Sequence, residues 1–234
     1  MQMLVVSSCG KKKKVQPSTL PTCDDLSSTN WAHWKTKLNP YILPAAEMYT
    51  GNQFTQLLVG VERLRRIKGF DIDVYIVSAG FGLLSEQDLI PPYECSFSAM
   101  KKGEILSRAD TLGIQDDFAK LMTQGYDFSY LALGKSYMTA IGFQWLEFIH
   151  GTIASFVKEV EKEGILYLPA NANTVHEFSA NGHKIHGVTG FKGDLLRILA
   201  DYALSCVDPL EEVKNWTNTD HLLNLVKSFA KARS

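Results

Sequence analysis

No stretch of this chain approaches the roughly 18 consecutive apolar residues that a membrane-spanning helix needs. A strong charge of either sign is also missing. The 24 Lys and Arg nearly balance the 25 Asp and Glu, leaving −1, so no global field draws the molecule onto nucleic acid and any such contact must come from local patches. Cysteine is scarce. Cys9, Cys23, Cys95 and Cys206 form no C-x-x-C pair, and their spacing matches neither a zinc site nor a small disulfide scaffold. The simple reading is reduced thiols in a cytoplasmic protein. Two glycines are missing where nucleotide motifs require them. Gly80-x-Gly82 is followed by Ser85 rather than a third glycine, and Gly134-Lys135-Ser136 is preceded by Ser129 rather than glycine. Those gaps exclude a dinucleotide fingerprint and a Walker loop. His176, His183 and His186 have no carboxylate or cysteine completing a recognisable ligand set, so no metal is expected, and nothing in the sequence calls for a cofactor.

What is present alternates between strand and helix patterns. Met3 to Ser8 reads as a buried strand, followed by a polar loop over 9–30. Trp31, Trp34 and Leu38 suggest a short helix ended by Pro40, and Leu57, Leu58, Val61 and Leu64 mark a longer one. Ile72 to Val77 is a second strand. Ile105, Ala109 and Leu112 predict a helix that breaks at Gly113 and resumes towards Met122. Asp127 to Leu133 is a third strand, and Met138, Ile141, Trp145 and Phe148 continue as one helix. Another helix is expected over 152–163, and a fourth strand over 165–168. Ala180-Asn181-Gly182 predicts a hairpin turn, with helices around Leu195–Tyr202 and Leu222–Phe229. This order argues for a single α/β domain over residues 1–234, a mostly parallel central sheet flanked by helices with a small antiparallel hairpin.

The segment from Ser78 to Glu94 carries the densest chemistry. Gly80 and Gly82 bracket Phe81 at the end of a strand, where glycine lets backbone approach a ligand. Asp88 and Glu94 are carboxylates suited to stabilising positive charge on a sugar or orienting water. Phe81 and Tyr93 are aromatics that either stack a base or pack in the core. Lys11 to Lys14 are either a solvated run or an arm that grips phosphates. Gly134, Lys135 and Ser136 are an ordinary strand-to-helix turn or an anion site. Gly190-Phe191-Lys192-Gly193-Asp194 reads as a phosphate-binding nest at a helix entrance, with tight helix packing as the alternative. In an open α/β sheet, ligands bind outside the carboxyl ends of the strands, which would gather these segments on one rim.

With these residues laid out, Val77 to Tyr93 resembles the bacterial peroxide-stress protein family, which carries a Ser-x-x-(Tyr/Phe)-Gly-(Leu/Val)-Leu run, then Asp-Leu-Ile and Pro-Tyr. Ser7-Ser8-Cys9-Gly10-Lys11-Lys12 and the segment from Ala45 to Gly51 resemble an uncharacterised bacterial and phage family of the same superfamily. The resemblance extends to the uracil-DNA-glycosylase-like domain of archaeosine synthase. Members acting in anti-phage defence are DNA glycosylases that excise glucosylated hydroxymethylcytosine. The chain departs from uracil-DNA glycosylases, which have Gly-Gln-Asp-Pro-Tyr. Here Asp88 and Tyr93 stand farther apart, and a His-Pro-Ser segment is absent. The resemblance implies a metal-independent, monofunctional glycosylase acting on phage DNA without an obligate protein partner. Asp88 and Glu94 would be catalytic. Ser8, Cys9, Ser78, Gly80, Phe81, Gly82 and Tyr93 would surround the base. Lys11, Lys12, Lys13, Lys135, Ser136, Lys192 and Gly193 would contact DNA phosphates. A non-catalytic DNA-binding stress protein and a nucleobase transglycosylase are the alternative expectations.

Overall fold

The computed structural model describes residues 1–26, 31–158 and 162–230. Its strands are β1 (Gln2–Ser8), β2 (Leu43–Pro44), β3 (Asp71–Ser78), β4 (Gly82–Ser85), β5 (Leu89–Ile90), β6 (Phe128–Ala132), β7 (Thr152–Ser155) and β8 (Ile165–Tyr167). Its α-helices are α1 (Cys23–Leu26), α2 (Trp31–Leu38), α3 (Ala45–Met48), α4 (Asn52–Leu64), α5 (Lys102–Thr111), α6 (Ile114–Met122), α7 (Lys135–Ile141), α8 (Ala172–Ala180), α9 (Gly187–Ser205), α10 (Pro209–Asn215) and α11 (Thr219–Ala230).

The central sheet has the order β4-β3-β1-β6-β7-β8, and every pairing except β3 with β4 is parallel. The fold is therefore α/β, with a mostly parallel sheet flanked by helices. A separate two-stranded antiparallel piece joins β2 to β5. β1 lies in the middle and is buried continuously from Met3 to Ser7, as a strand covered on both faces must be. Its side chains alternate between two cores. Leu4 and Val6 enter one with Phe118, Tyr137 and Trp145. Met3 and Val5 enter the other with Leu57, Val61, Leu195 and Leu199. α4 and α9 therefore cover one face, while α6 and α7 cover the opposite one.

Several local expectations change. Thr152–Ser155 is a fully buried strand rather than the start of a helix. A short apolar run does not separate strand from helix by periodicity, and parallel partners on both sides decide it here. Residues 159–161 of that expected helix lie outside the described residues. The helix expected through Phe148 stops at Ile141, and Gln144–Phe148 forms a 3₁₀ turn. Asn181-Gly182 is no hairpin but the end of α8. Gly182 has φ +83°, while the His183 N–H donates to Phe178 O and the Gly182 N–H to Ser179 O. This is the Schellman pattern, which needs the same left-handed glycine as a tight hairpin. The cysteines are not all reduced, because Cys23 pairs with Cys95 in a disulfide. Their segments meet through the Glu94 N–H, which donates to Pro21 O at 2.8 Å.

Gly193 also changes role. α9 already begins at Gly187, so Gly193 lies inside the helix rather than at its entrance. A Cβ at this position would stand 1.9 Å from Gln53 O. Glycine there lets the start of α4 press against α9, which is packing and not a phosphate nest. Gly193→Ala should therefore cost about 2 kcal/mol or more through overpacking, read as a lower urea midpoint. Gly103→Ala, in an open stretch of α5, should be neutral or gain roughly 0.5 kcal/mol from helix propensity. Equal midpoints for both variants would show that the close approach is not required.

Candidate functional site

The polar chemistry gathers where β1 ends. After Ser8 the chain turns out of the sheet, and residues 12–14 pair briefly with residues 48–50. Lys13 and Tyr49 form an antiparallel bridge, the Lys14 N–H donates to Met48 O, and the Thr50 N–H donates to Lys12 O. Side chains alternate along such a pairing, and this sorts the lysine run. Lys12 and Lys14 are exposed, with Lys14 Nζ 2.9 Å from Glu47, while Lys13 turns inward and is only 4% exposed.

Beneath Lys13 lies a chain of buried hydroxyls. Ser78 Oγ accepts from the Gly80 and Phe81 N–H groups at 3.1 and 3.0 Å. With both acceptor positions filled, its own proton goes to Tyr93 Oη, 2.7 Å away, and Tyr93 in turn donates to Tyr49 Oη at 2.7 Å. Burial pushes both phenols up, so they remain protonated donors. On the other side of the loop, Tyr137 Oη donates to Cys9 O at 3.1 Å and lies 3.2 Å from Cys9 Sγ and Ser96 Oγ.

Two cavities open around this framework. The first, of about 350 Å³, is lined by Lys11, Lys13, Gln16, Tyr93, Glu94 and Ser96, with Leu20, Ala99 and Met100 forming an apolar wall beside the disulfide. Lys13 Nζ sits 4.2 Å from the centre of the Tyr93 ring and donates to Gly10 O at 3.2 Å. Burial lowers the Lys13 pKa, and the charges of Cys9 and then Glu94 offset part of this. The second cavity, of about 390 Å³, is lined by Ser8, Gly10, Gly51, Gln53, Gly134 and Lys192, among others. It lies between the carboxyl ends of β1 and β6. From β1 the chain proceeds to β3 on one side and later crosses to β6 on the other, so this is the topological switch point of the sheet. Lys192 Nζ lies 3.5 Å from Gln53 Oε1, and burial lowers its pKa. Gln53 is held by donating to Ala132 O at 2.9 Å.

The expected site residues divide into three groups. Ser8, Cys9, Lys11, Lys13, Ser78, Tyr93, Glu94 and Lys192 converge around the end of β1. Gly80, Phe81 and Gly82 shape the wall behind Tyr93. A Cβ on Gly80 would fall 2.6 Å from the Tyr93 ring, Phe81 meets that ring edge-on at 5.0 Å, and Gly82 pairs with Ser78 across β3 and β4. Tyr93 is thus enclosed, with the Lys13 amine where a stacked base was expected. The third group lies elsewhere. Asp88 closes the 85–88 turn, accepting from the Ser85 N–H at 2.8 Å, and lines neither cavity. Lys12 points to solvent. Lys135 and Ser136 form the first turn of α7 without lining either cavity, although Gly134 before them does.

Sequence reasoning passed over Gln53, Tyr137 and the role of the buried Asp194. Asp194 binds His186 twice, accepting its N–H at 2.7 Å and meeting Nδ1 at 2.7 Å. Gln53 and Tyr137 carry no motif, since each acts through contacts far along the chain, whereas Asp194 stood inside the expected phosphate nest and instead holds His186 nearby in sequence. Among the described residues, no group of three or more His, Cys, Asp or Glu is arranged to hold a metal ion.

The molecule is thus an α/β protein whose candidate site sits at the carboxyl end of a parallel sheet. Residues 33–151 match the profile of a family of unknown function, DUF6884, and the chain belongs to that family. No curated protein matches the chain. The matched span contains Tyr49, Ser78, Tyr93, Glu94 and Tyr137, while Lys13 and Lys192 lie outside it.

The hydroxyl chain makes a direct prediction about stability. Tyr93→Phe strands a buried partner on each side and should cost about 1–3 kcal/mol. Adding Tyr49→Phe should cost less than the sum of the two single changes, because the pair acts as one network. A double-mutant cycle by chemical denaturation measures this, and strict additivity would mean the two hydroxyls are independent.

Proposed function

We propose that this protein is a DNA glycosylase that excises a modified cytosine, such as glucosylated hydroxymethylcytosine, from phage DNA in the cytoplasm and leaves an abasic site. The observation that carries this reading is the convergence at one strand end of a carboxylate, two desolvated lysines and two adjoining cavities. The resemblance of the Val77–Tyr93 and Ser7–Lys12 segments to glycosylase-superfamily proteins supports it. A flipped base must leave the duplex to be reached, and the first cavity offers the apolar wall of Leu20, Ala99 and Met100 for it. Glu94, on the same cavity, takes the part of the carboxylate. Breaking an N-glycosidic bond builds positive charge on the sugar, and a fixed negative group beside it lowers that barrier and orients the attacking water. Lys192 and the open backbone at Gly51 and Gly134 suit a neighbouring phosphate in the second cavity. Lys11, exposed on the rim, supplies a further cation.

Among the described residues, no helix is long and apolar enough to cross a membrane. In the cytoplasm, thiol buffers bear on the Cys23–Cys95 bond beside the cavity.

Purified protein incubated with phage DNA carrying glucosylated hydroxymethylcytosine, then treated with alkali, should give strand breaks well above those in unmodified DNA. Glu94→Gln should slow base release about 10²-fold or more, whereas Asp88→Asn should keep the wild-type rate. No breaks beyond the unmodified control would overturn the proposal. The reverse ranking of the two variants would move the chemistry to Asp88.

A further inference from the structure

Lys13 is the one lysine that is buried among the described residues. Burying an amine costs free energy unless the position serves something that an exposed one does not. Anchoring the loop does not account for it. The backbone bonds between residues 12–14 and 48–50 already fix the segment. The amine donates to Gly10 O at 3.2 Å and lies at the outer limit, 3.5 Å, from Lys11 O. Pairing with Tyr49 fixes the direction of the side chain, and the Tyr93 ring supports the amine from below. Lys13 and Glu94 line the same cavity.

We infer that Lys13 is an amine nucleophile that captures C1′ of an abasic deoxyribose in this cavity, giving the protein a strand-cleaving lyase activity beyond base excision. The inference rests on the glycosylase reading for the source of its substrate. The neutral Nζ adds to the C1′ aldehyde of the ring-opened sugar. The resulting hydroxyl takes a proton and leaves as water, forming an iminium. The Glu94 carboxylate removes a C2′ proton, and the electron pair left behind forms the C2′–C3′ double bond as the 3′ phosphate departs with the C3′–O pair. Water then hydrolyses the iminium, returning the Lys13 amine and an unsaturated aldehyde on the cleaved strand. Atoms and charge balance without an oxidant or reductant. Only a neutral amine starts this sequence, and burial lowers the Lys13 pKa in the direction that favours it.

The test uses the full chain and an oligonucleotide carrying a preformed abasic site, with sodium borohydride to reduce any iminium to a stable amine. The expected result is a covalent protein–DNA adduct whose tryptic peptide carries the deoxyribose remnant on Lys13. Lys13→Arg, which keeps the charge but forms no iminium, should lower adduct yield at least 100-fold. Peptide mapping of the wild-type adduct decides the point even where that variant folds poorly. No adduct, or an adduct on Lys11, Lys192 or the Met1 amine, overturns the inference. Alkali-revealed base release from modified DNA, measured in parallel, separates the two readings. Release without trapping sinks the lysine chemistry alone. Trapping without release from modified DNA sinks the excision reading alone.

Discussion

β1 has neither a free face nor a free edge, and the site follows from that constraint. Helices cover the strand on both sides, and β3 and β6 pair with it along both edges. A chain so enclosed can expose functional groups only where it leaves the sheet. At that end the Cys9 N–H still donates to Val77 O, and the Gln53 side chain reaches Ala132 O. Backbone groups released from the ladder are satisfied by neighbouring elements, as buried polar groups must be. The same bonds bring α4, β3 and β6 to a common point. Gly193 tightens that point by letting the start of α4 rest on α9, which carries Lys192 to the rim of the second cavity.

The alternation of strand and helix was legible because a buried central strand leaves an unbroken apolar run, and Met3 to Val6 shows one. Local signals located turns correctly but not always their kind. Asn181-Gly182 requires a left-handed glycine, yet that requirement is shared by hairpins and helix ends, and only the hydrogen bonds back to Phe178 and Ser179 distinguish them. The lysine run was ambiguous for a related reason. Four consecutive lysines have one composition but, in an extended pairing, two faces. The partner strand at 48–50 sets which face is inward, and it is distant in sequence. Asp88 looked chemical because of its company in the motif. Its carboxylate closes a turn through the Ser85 N–H, a local role that short polar side chains often take. Gln53 and Tyr137 carried no signal, because what defines them is a contact made across the fold.

The wall of the first cavity combines a polar network with a covalent tie. Ser78, Tyr93 and Tyr49 form a buried hydroxyl chain, and such a network is rigid only while every member is present. The Cys23–Cys95 bond spans a sequence separation of 72 residues and holds the 9–26 segment against Glu94. The bond from the Glu94 N–H to Pro21 O and the Arg108 Nη1–H donated to Cys23 O at 2.9 Å hold the same segment independently. Reduction would therefore loosen the wall of the first cavity without detaching it.

Both cavities place a lysine where burial disfavours its charge. Folding accordingly binds protons less readily at Lys13 and Lys192 than the unfolded chain does. Between the lowered folded pKa and the ordinary lysine value, the unfolded state holds more protons, so these groups make stability rise with pH across that window. Below the window they are a standing cost to the fold. A protein selected for stability alone would replace them with apolar residues of similar length. A site that must meet anionic substrate has a reason to keep Lys192, because a phosphate brought into the second cavity restores the interactions that water lost. The cost in the empty protein is the same free energy that favours an anion on binding, since a partly desolvated cation has most to gain from a partner of opposite charge.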